Sequence, residues 1–275
     1  MNLVLRILTP TLLLLAIAPT AQSQKLKLST SSDSAIYYYY EGWRQVMDVA
    51  DYTASEKAYR KMMRFDEKFL LGLSLLGRIT RDLEERLDIE KQLDSRKHEL
   101  IGHERLLLDD YIELVKLTNL RETDPEAAEK QLEKAFQTSE QNLGIIVPAY
   151  PDEIYYKAEY IEVLHRNYGP QRALDSLYKI ASIVQQNEPF LLGYAAHMEA
   201  EAKNFDNALA KASELVKRTT NESSPKPHVV YGDVYFEMGN LAESQVHIDK
   251  ALALDSGNID ALRLKKKIDE ALKRK

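Results

Sequence analysis

The chain has 275 residues, 44% of them hydrophobic and 29% charged, which is enough apolar material for a sizeable core. A formal net charge of -6 argues against nucleic acid as a partner, because phosphate binding wants a basic surface. With only 10 glycines, 9 prolines and no cysteine, a turn-rich all-β fold is disfavoured and a disulfide framework is excluded.

Residues 1–23 read as a secretory signal peptide. Arg6 supplies the positive region, Leu12 to Ala18 the apolar region, and Ala21-Gln22-Ser23 a small-x-small cleavage site. The apolar run is too short for a good membrane anchor, so no stable membrane span is expected after cleavage. An exported chain without disulfides fits a bacterial periplasmic or secreted protein. Residues 24–32 are expected to be a short flexible N-terminus, followed by one domain over 33–275.

From residue 33 onwards apolar residues recur at helical spacing, and the short breaks hold Gly, Pro, Asn or Asp. The first predicted helix carries "AIYYYYEGW" at 35–43, and "DYTASEKAYRKMMRF" forms its partner. Four consecutive helical residues cover about 300° of the circumference, so the four tyrosines cannot all be core. A degenerate pair follows over 68–93, "FLLGLSLLGRIT" and "RDLEERLDIEKQL". Next, "HELIGHE" at 98–104 invites a metalloprotease reading, but His98 and His103 are five residues apart. Five residues rotate about 140° on a helix, so the shared face that an i, i+4 zinc pair needs is missing. "DPEAAEKQLEKAF" predicts another helix, with an insertion at "QNLGIIVPAYPDE" before the helix of "PDEIYYKAEY". "GPQRALDSLYKI", "FDNALAKASEL" and "LAESQVHIDKALAL" then alternate with further helices. "NIDALRLKKKIDEALKRK" closes the chain with a basic exposed face, as suits a terminal cap.

The small residues Ala173, Ala208 and Ser244 lie 35 and 36 residues apart, and Ala128 lies 45 before Ala173. In "PHVVYGDVYFEMGNLAESQVHIDKALALDSGN", His228, Tyr231, Gly232 and Tyr235 are followed by Ser244, Ile248 and Ala251. This unit resembles the tetratricopeptide repeat (TPR) pattern W-x2-L-G-x2-Y…A-x3-F…P, with His228 in the Trp slot and Ser256 in the Pro slot. Residues 50–115 are similar to exported TPR proteins of Bacteroidota-type bacteria. The resemblance implies an all-α, TPR-like solenoid of about six antiparallel helix pairs plus a C-terminal capping helix. Counting back from "DYTAS" puts Tyr39 in the Trp slot and Trp43 in the Gly slot, so the first pair is expected to be widely spaced.

No catalytic constellation emerges, and no cofactor or metal site: the six histidines are scattered and no nucleophile motif is present. The resemblance implies a concave groove lined by the first helix of each pair. Groove candidates by slot are Tyr37, Tyr40, Arg44, Asp48, Tyr155, Glu162, His165, Arg166, Phe190 and His197. Aromatics beside charges suit protein hot spots. The function expected is a non-enzymatic exported scaffold holding a protein or peptide in that groove. Glycan or cell-envelope recognition is the alternative, and a hydrolytic enzyme framed by the solenoid is the alternative of another class.

Overall fold

The computed structural model describes residues 25–274, so the expected signal peptide over 1–23 lies outside the described residues. Thirteen α-helices and no strand are present among them. The helices pack in adjacent pairs: α1 (Asp33–Arg44) with α2 (Tyr52–Phe65), α3 (Leu70–Ile79) with α4 (Leu83–Arg96), and α5 (Gly102–Thr123) with α6 (Pro125–Ala149). Then come α7 (Ile154–Tyr168) with α8 (Pro170–Ile180), α9 (Pro189–Glu201) with α10 (Phe205–Arg218), and α11 (Lys226–Glu237) with α12 (Leu241–Leu254). Helix α13 (Ile259–Lys273) packs on α12. None of the described helices is long and apolar enough to cross a membrane.

The starts of the helices follow from short polar side chains. Ser32, Asp51, Asp82, Asp124, Asn240 and Asn258 each accept a hydrogen bond from a backbone N–H in the first turn. Helix α3 differs from the rest, because nine of its ten residues are buried. A helix that is apolar all round belongs in the middle of a structure, and α3 lies among α2, α4 and α5. The segment "QNLGIIVPAY", expected to be an insertion, takes the form of an extension of α6 through Ala149, with Pro148 in its last turn.

Residues 25–32, expected to be a flexible lead-in, are laid against the helices. Leu26, Leu28 and Thr30 are buried, and Ser29 N donates to Glu104 Oε1 at 2.8 Å. Burial of alternate residues is what anchors this segment.

Two pairs close in the same way. In the last pair, Ser244 Oγ donates to Gly232 O at 2.7 Å, and Ile248 covers the glycine. In the first pair, Ser55 Oγ donates to Gly42 O at 2.8 Å, and the Tyr59 ring covers Gly42 so closely that a Cβ there would stand 2.1 Å from Cε1. The close-approach residue of the first pair is therefore Gly42, not Trp43, and that pair is tight. Counting back failed because residues Gln45–Val49 form a π-helical turn, ended by Ala50 in the left-handed region at φ 59°. A π-turn adds a residue to the helix, so the glycine-to-serine spacing is 13 in the first pair and 12 in the last.

That turn also carries the main long-range feature of the fold. It projects to the N-terminal ends of α9, α11 and α13. Asp48 Oδ1 accepts from Phe190 N at 3.3 Å, Val49 O accepts from Ser224 Oγ at 3.1 Å, and Ala50 O accepts from Asn258 Nδ2 at 2.6 Å. The start of α2 joins in: Asp255 accepts from Tyr52 N at 2.8 Å and from Thr53 Oγ1 at 2.6 Å. The first pair thus touches the last two pairs and α13 across some 200 residues of sequence. Ala50 belongs to the same apolar cluster as Ile248, Ala251, Ala261, Leu264 and Ile268.

Candidate functional site: a charged chamber

Because the first pair meets the end of the chain, the faces of the odd-numbered helices enclose a space. The main cavity has a volume of about 350 Å³ and takes residues from every odd-numbered helix. Trp43, Tyr52, Tyr59, Phe136 and Phe190 supply aromatic wall, and Leu75, Ile79, Leu114 and Leu117 supply aliphatic wall. Arg78, Arg121, Lys226 and Arg263 bring positive charge, and Glu162 and Asp260 bring negative charge. Two side lobes adjoin it, one of about 220 Å³ towards His197, Asp233 and Lys267, the other of about 300 Å³ towards Asp110, Ser139, Glu159 and Arg166. Glu162 lines all three.

Each charge has a positioning reason. Arg78 stands near the end of α3, with its guanidinium 4.5 Å from the Tyr111 ring centroid and 5.5 Å from that of Trp43. Its Nη1 is 2.7 Å from Glu159 Oε1, off the hydrogen-bonding angle, so the pair is held by charge rather than by a fork. Tyr111 Oη donates to the other oxygen of Glu159 at 2.7 Å. Ser139 Oγ bonds the buried Asp110 carboxylate. Lys226 places its ammonium 4.3 Å from the Phe190 ring centroid.

Enclosure shifts the ionisation of these groups. Burial, then the neighbouring Glu159 charge, pushes the Glu162 carboxyl up to about 8. The same two causes push Asp110 up to about 7. Burial raises Asp233 and Asp48 and lowers Lys226. A carboxyl whose folded-state pKa is raised binds its proton more tightly when folded. Stability then falls as pH rises from the unfolded carboxylate range, near 4, through the folded value. Glu162→Gln is therefore expected to be more stable than the parent by about 2 kcal/mol at pH 8.5 and to match it at pH 5. Urea unfolding at the two pH values measures the difference.

The structure gathers some of the sequence-stated candidates and scatters others. Glu162 and Phe190 line the main cavity, His197 one side lobe and Arg166 the other. Tyr155 stacks on Trp43, with ring centroids 5.8 Å apart, and donates from Oη to Asp48 Oδ2 at 2.8 Å. Tyr155 and Asp48 thereby back the cavity wall. Tyr40 is engaged at the start of α7, where its Oη donates to Glu153 Oε1 at 2.9 Å. Tyr37 is 62% exposed and packs edge-on against Tyr38. Arg44 is exposed and forks onto Glu41. Neither Tyr37 nor Arg44 lines the chamber.

Sequence reading missed Arg78, Arg121, Lys226, Asp260 and Arg263. Arg78 had a usable signal, since a lone arginine in the otherwise apolar "FLLGLSLLGRI" must find a partner inside. Reading by sequence also assembled no metal-ligand cluster. The fold brings one together: ligand atoms of His165, His197 and Glu201 lie within 4.8 Å of one another. Burial lowers the His165 pKa, which favours the neutral imidazole. Compared with known proteins, the chain matches no protein-family model and no curated sequence.

Proposed function

We propose that the protein is an exported, non-enzymatic scaffold of TPR-like build that takes a short peptide segment of a protein partner into the chamber. The observation that carries this reading is the lining of the main cavity, where five aromatic rings stand beside four basic and two acidic side chains. A peptide end or short loop presents backbone, apolar and charged groups together, and a cavity of about 350 Å³ is of the size that encloses small ligands. The pairwise helix packing and the Gly232–Ser244 contact support the TPR-like build. Glycan recognition has less support, because Trp43 is 2% exposed and one face is already covered by Tyr155.

Selection of short random peptides on the purified protein tests the proposal. Enriched peptides are expected to bind Phe190→Ala and Glu162→Ala at least about tenfold more weakly than the parent, which is about 1.4 kcal/mol. Tyr37→Ala should bind them unchanged. Failure to enrich any peptide, or equal binding by all three variants, contradicts the reading.

A further inference from the structure

His197 and Glu201 are one helical turn apart on α9, so their side chains share a face. His165, near the C-terminal end of α7, reaches the same spot from the preceding pair. Glu201 Oε2 lies 2.8 Å from His165 Nε2 and 3.7 Å from His197 Nε2. Both imidazoles thus turn the same nitrogen towards one carboxylate. Ligand atoms about 2.0–2.1 Å from a tetrahedral ion stand roughly 3.3 Å apart, so the two distances straddle the spacing an ion would impose.

The opposite nitrogens are also placed. His165 Nδ1 is 2.7 Å from Tyr194 Oη, which fixes the ring. His197 Nδ1 is 3.9 Å from Asp233 Oδ2 and is buried without a hydrogen-bond partner. A carboxylate or hydroxyl behind the far nitrogen is the usual support of a metal-bound histidine, because it sets the tautomer and strengthens the donor. Without an ion, Glu201 satisfies His165, while His197 Nδ1 is left with no bond. An ion at the three facing atoms would orient both rings with Nε2 inward and Nδ1–H towards Tyr194 and Asp233. The side chains of His165, His197 and Glu201 retain 12%, 26% and 40% exposure, so the site is enclosed but reachable by an ion from solvent.

We propose that His165, His197 and Glu201 bind one divalent transition-metal ion, with Tyr194 and Asp233 as the outer supports. Two imidazoles and one carboxylate are the donor set of zinc chemistry, and three protein ligands leave a further position for water or a ligand group. His197 and Asp233 also line the chamber's side lobe, which places the ion at the edge of that space.

Calorimetric titration of the untagged protein with zinc chloride, in a non-chelating buffer at pH 7.5, tests the site. One equivalent is expected to bind with a Kd of about 10 μM or tighter. Glu201→Gln, at the most exposed of the three ligands, should weaken binding at least about tenfold, and Asp233→Asn by about tenfold. His228→Ala is the control, because His228 and His247 form the other close histidine pair, with their Nδ1 atoms 3.2 Å apart; it should leave the affinity unchanged. Cobalt(II) should give the visible absorption of a four-coordinate site in the parent and lose it in Glu201→Gln. Circular dichroism of each variant separates lost ligation from lost fold. No saturable binding, or binding that Glu201→Gln leaves intact and His228→Ala removes, would overturn the proposal.

Discussion

Arg78→Met is expected to lower the unfolding free energy by about 3 kcal/mol. The reason is the carboxylate it leaves behind. Glu159 is 5% exposed in its side chain, and its charge is opposed by Arg78 at 2.7 Å. Removing one member of a buried pair typically destabilises by about 3–5 kcal/mol, and the lower end applies because Arg78 keeps 24% exposure to the chamber. Asp110 and Glu162 lie in the same field, so the loss should deepen as pH rises and they ionise. Arg78→Met combined with Glu159→Gln should recover a large part of the loss, since the uncompensated charge is then gone. Urea unfolding of the two single variants and the double variant at pH 7 measures the coupling. Equal losses in Arg78→Met and in the double variant would show that the charge pair is not the cause.

The second large effect is at Asn258, which is fully buried and has two functions. Its Oδ1 accepts from Ala261 N at 2.8 Å and caps α13, while its Nδ2 donates to Ala50 O at 2.6 Å. Asn258→Ala should destabilise by about 2–4 kcal/mol: about 1 from the cap, and the remainder from a buried carbonyl left without a donor. Asn258→Ser keeps a cap acceptor and loses the donor to Ala50 O without burying a charge, so it should be less damaging by about 1 kcal/mol. The same denaturant titrations, run as a series of three proteins, test this ordering. A loss of only the cap's magnitude in Asn258→Ala would mean that Ala50 O is satisfied without the end of the chain.

Much of this architecture was legible because it is local. Caps such as Asp51, Asp124 and Asn240 and the helical recurrence of apolar residues mark where helices begin and which face they bury. The contact of Ser244 with Gly232 follows from small residues at a fixed spacing. The same spacing rule misplaced Trp43 by one residue, because a π-turn adds a residue without changing the apolar pattern. Tyr39 was readable as core and is fully buried, but its hydroxyl meets Tyr156 Oη at 3.2 Å across 117 residues, which no local pattern encodes.

The chamber was only half legible for the same reason. Glu162, Phe190 and His197 fall on the inner faces of α7 and α9, which periodicity can assign. Tyr37 and Arg44 were placed there on a register that the π-turn had displaced. Asp255 and Asn258 read as an ordinary helix stop, and only the three-dimensional closure gives them their partners, Thr53 and Ala50. His197 and Glu201 show a helical i, i+4 spacing, but the third member of their cluster, His165, comes from a different helix.

Whether the inner faces form a chamber or an open groove depends on the first pair docking on the end of the chain. The absence of native cysteine makes this directly measurable. A Cβ at residue 257 would stand 2.5 Å from Thr53 Oγ1, so Thr53→Cys together with Gly257→Cys brings two sulfurs into bonding range. Mild oxidation of the dilute double variant is expected to give an intramolecular disulfide, seen as loss of both titratable thiols and a faster-migrating monomer on non-reducing electrophoresis. If both thiols remain free while the protein stays folded, the first and last pairs do not meet and the chamber does not exist.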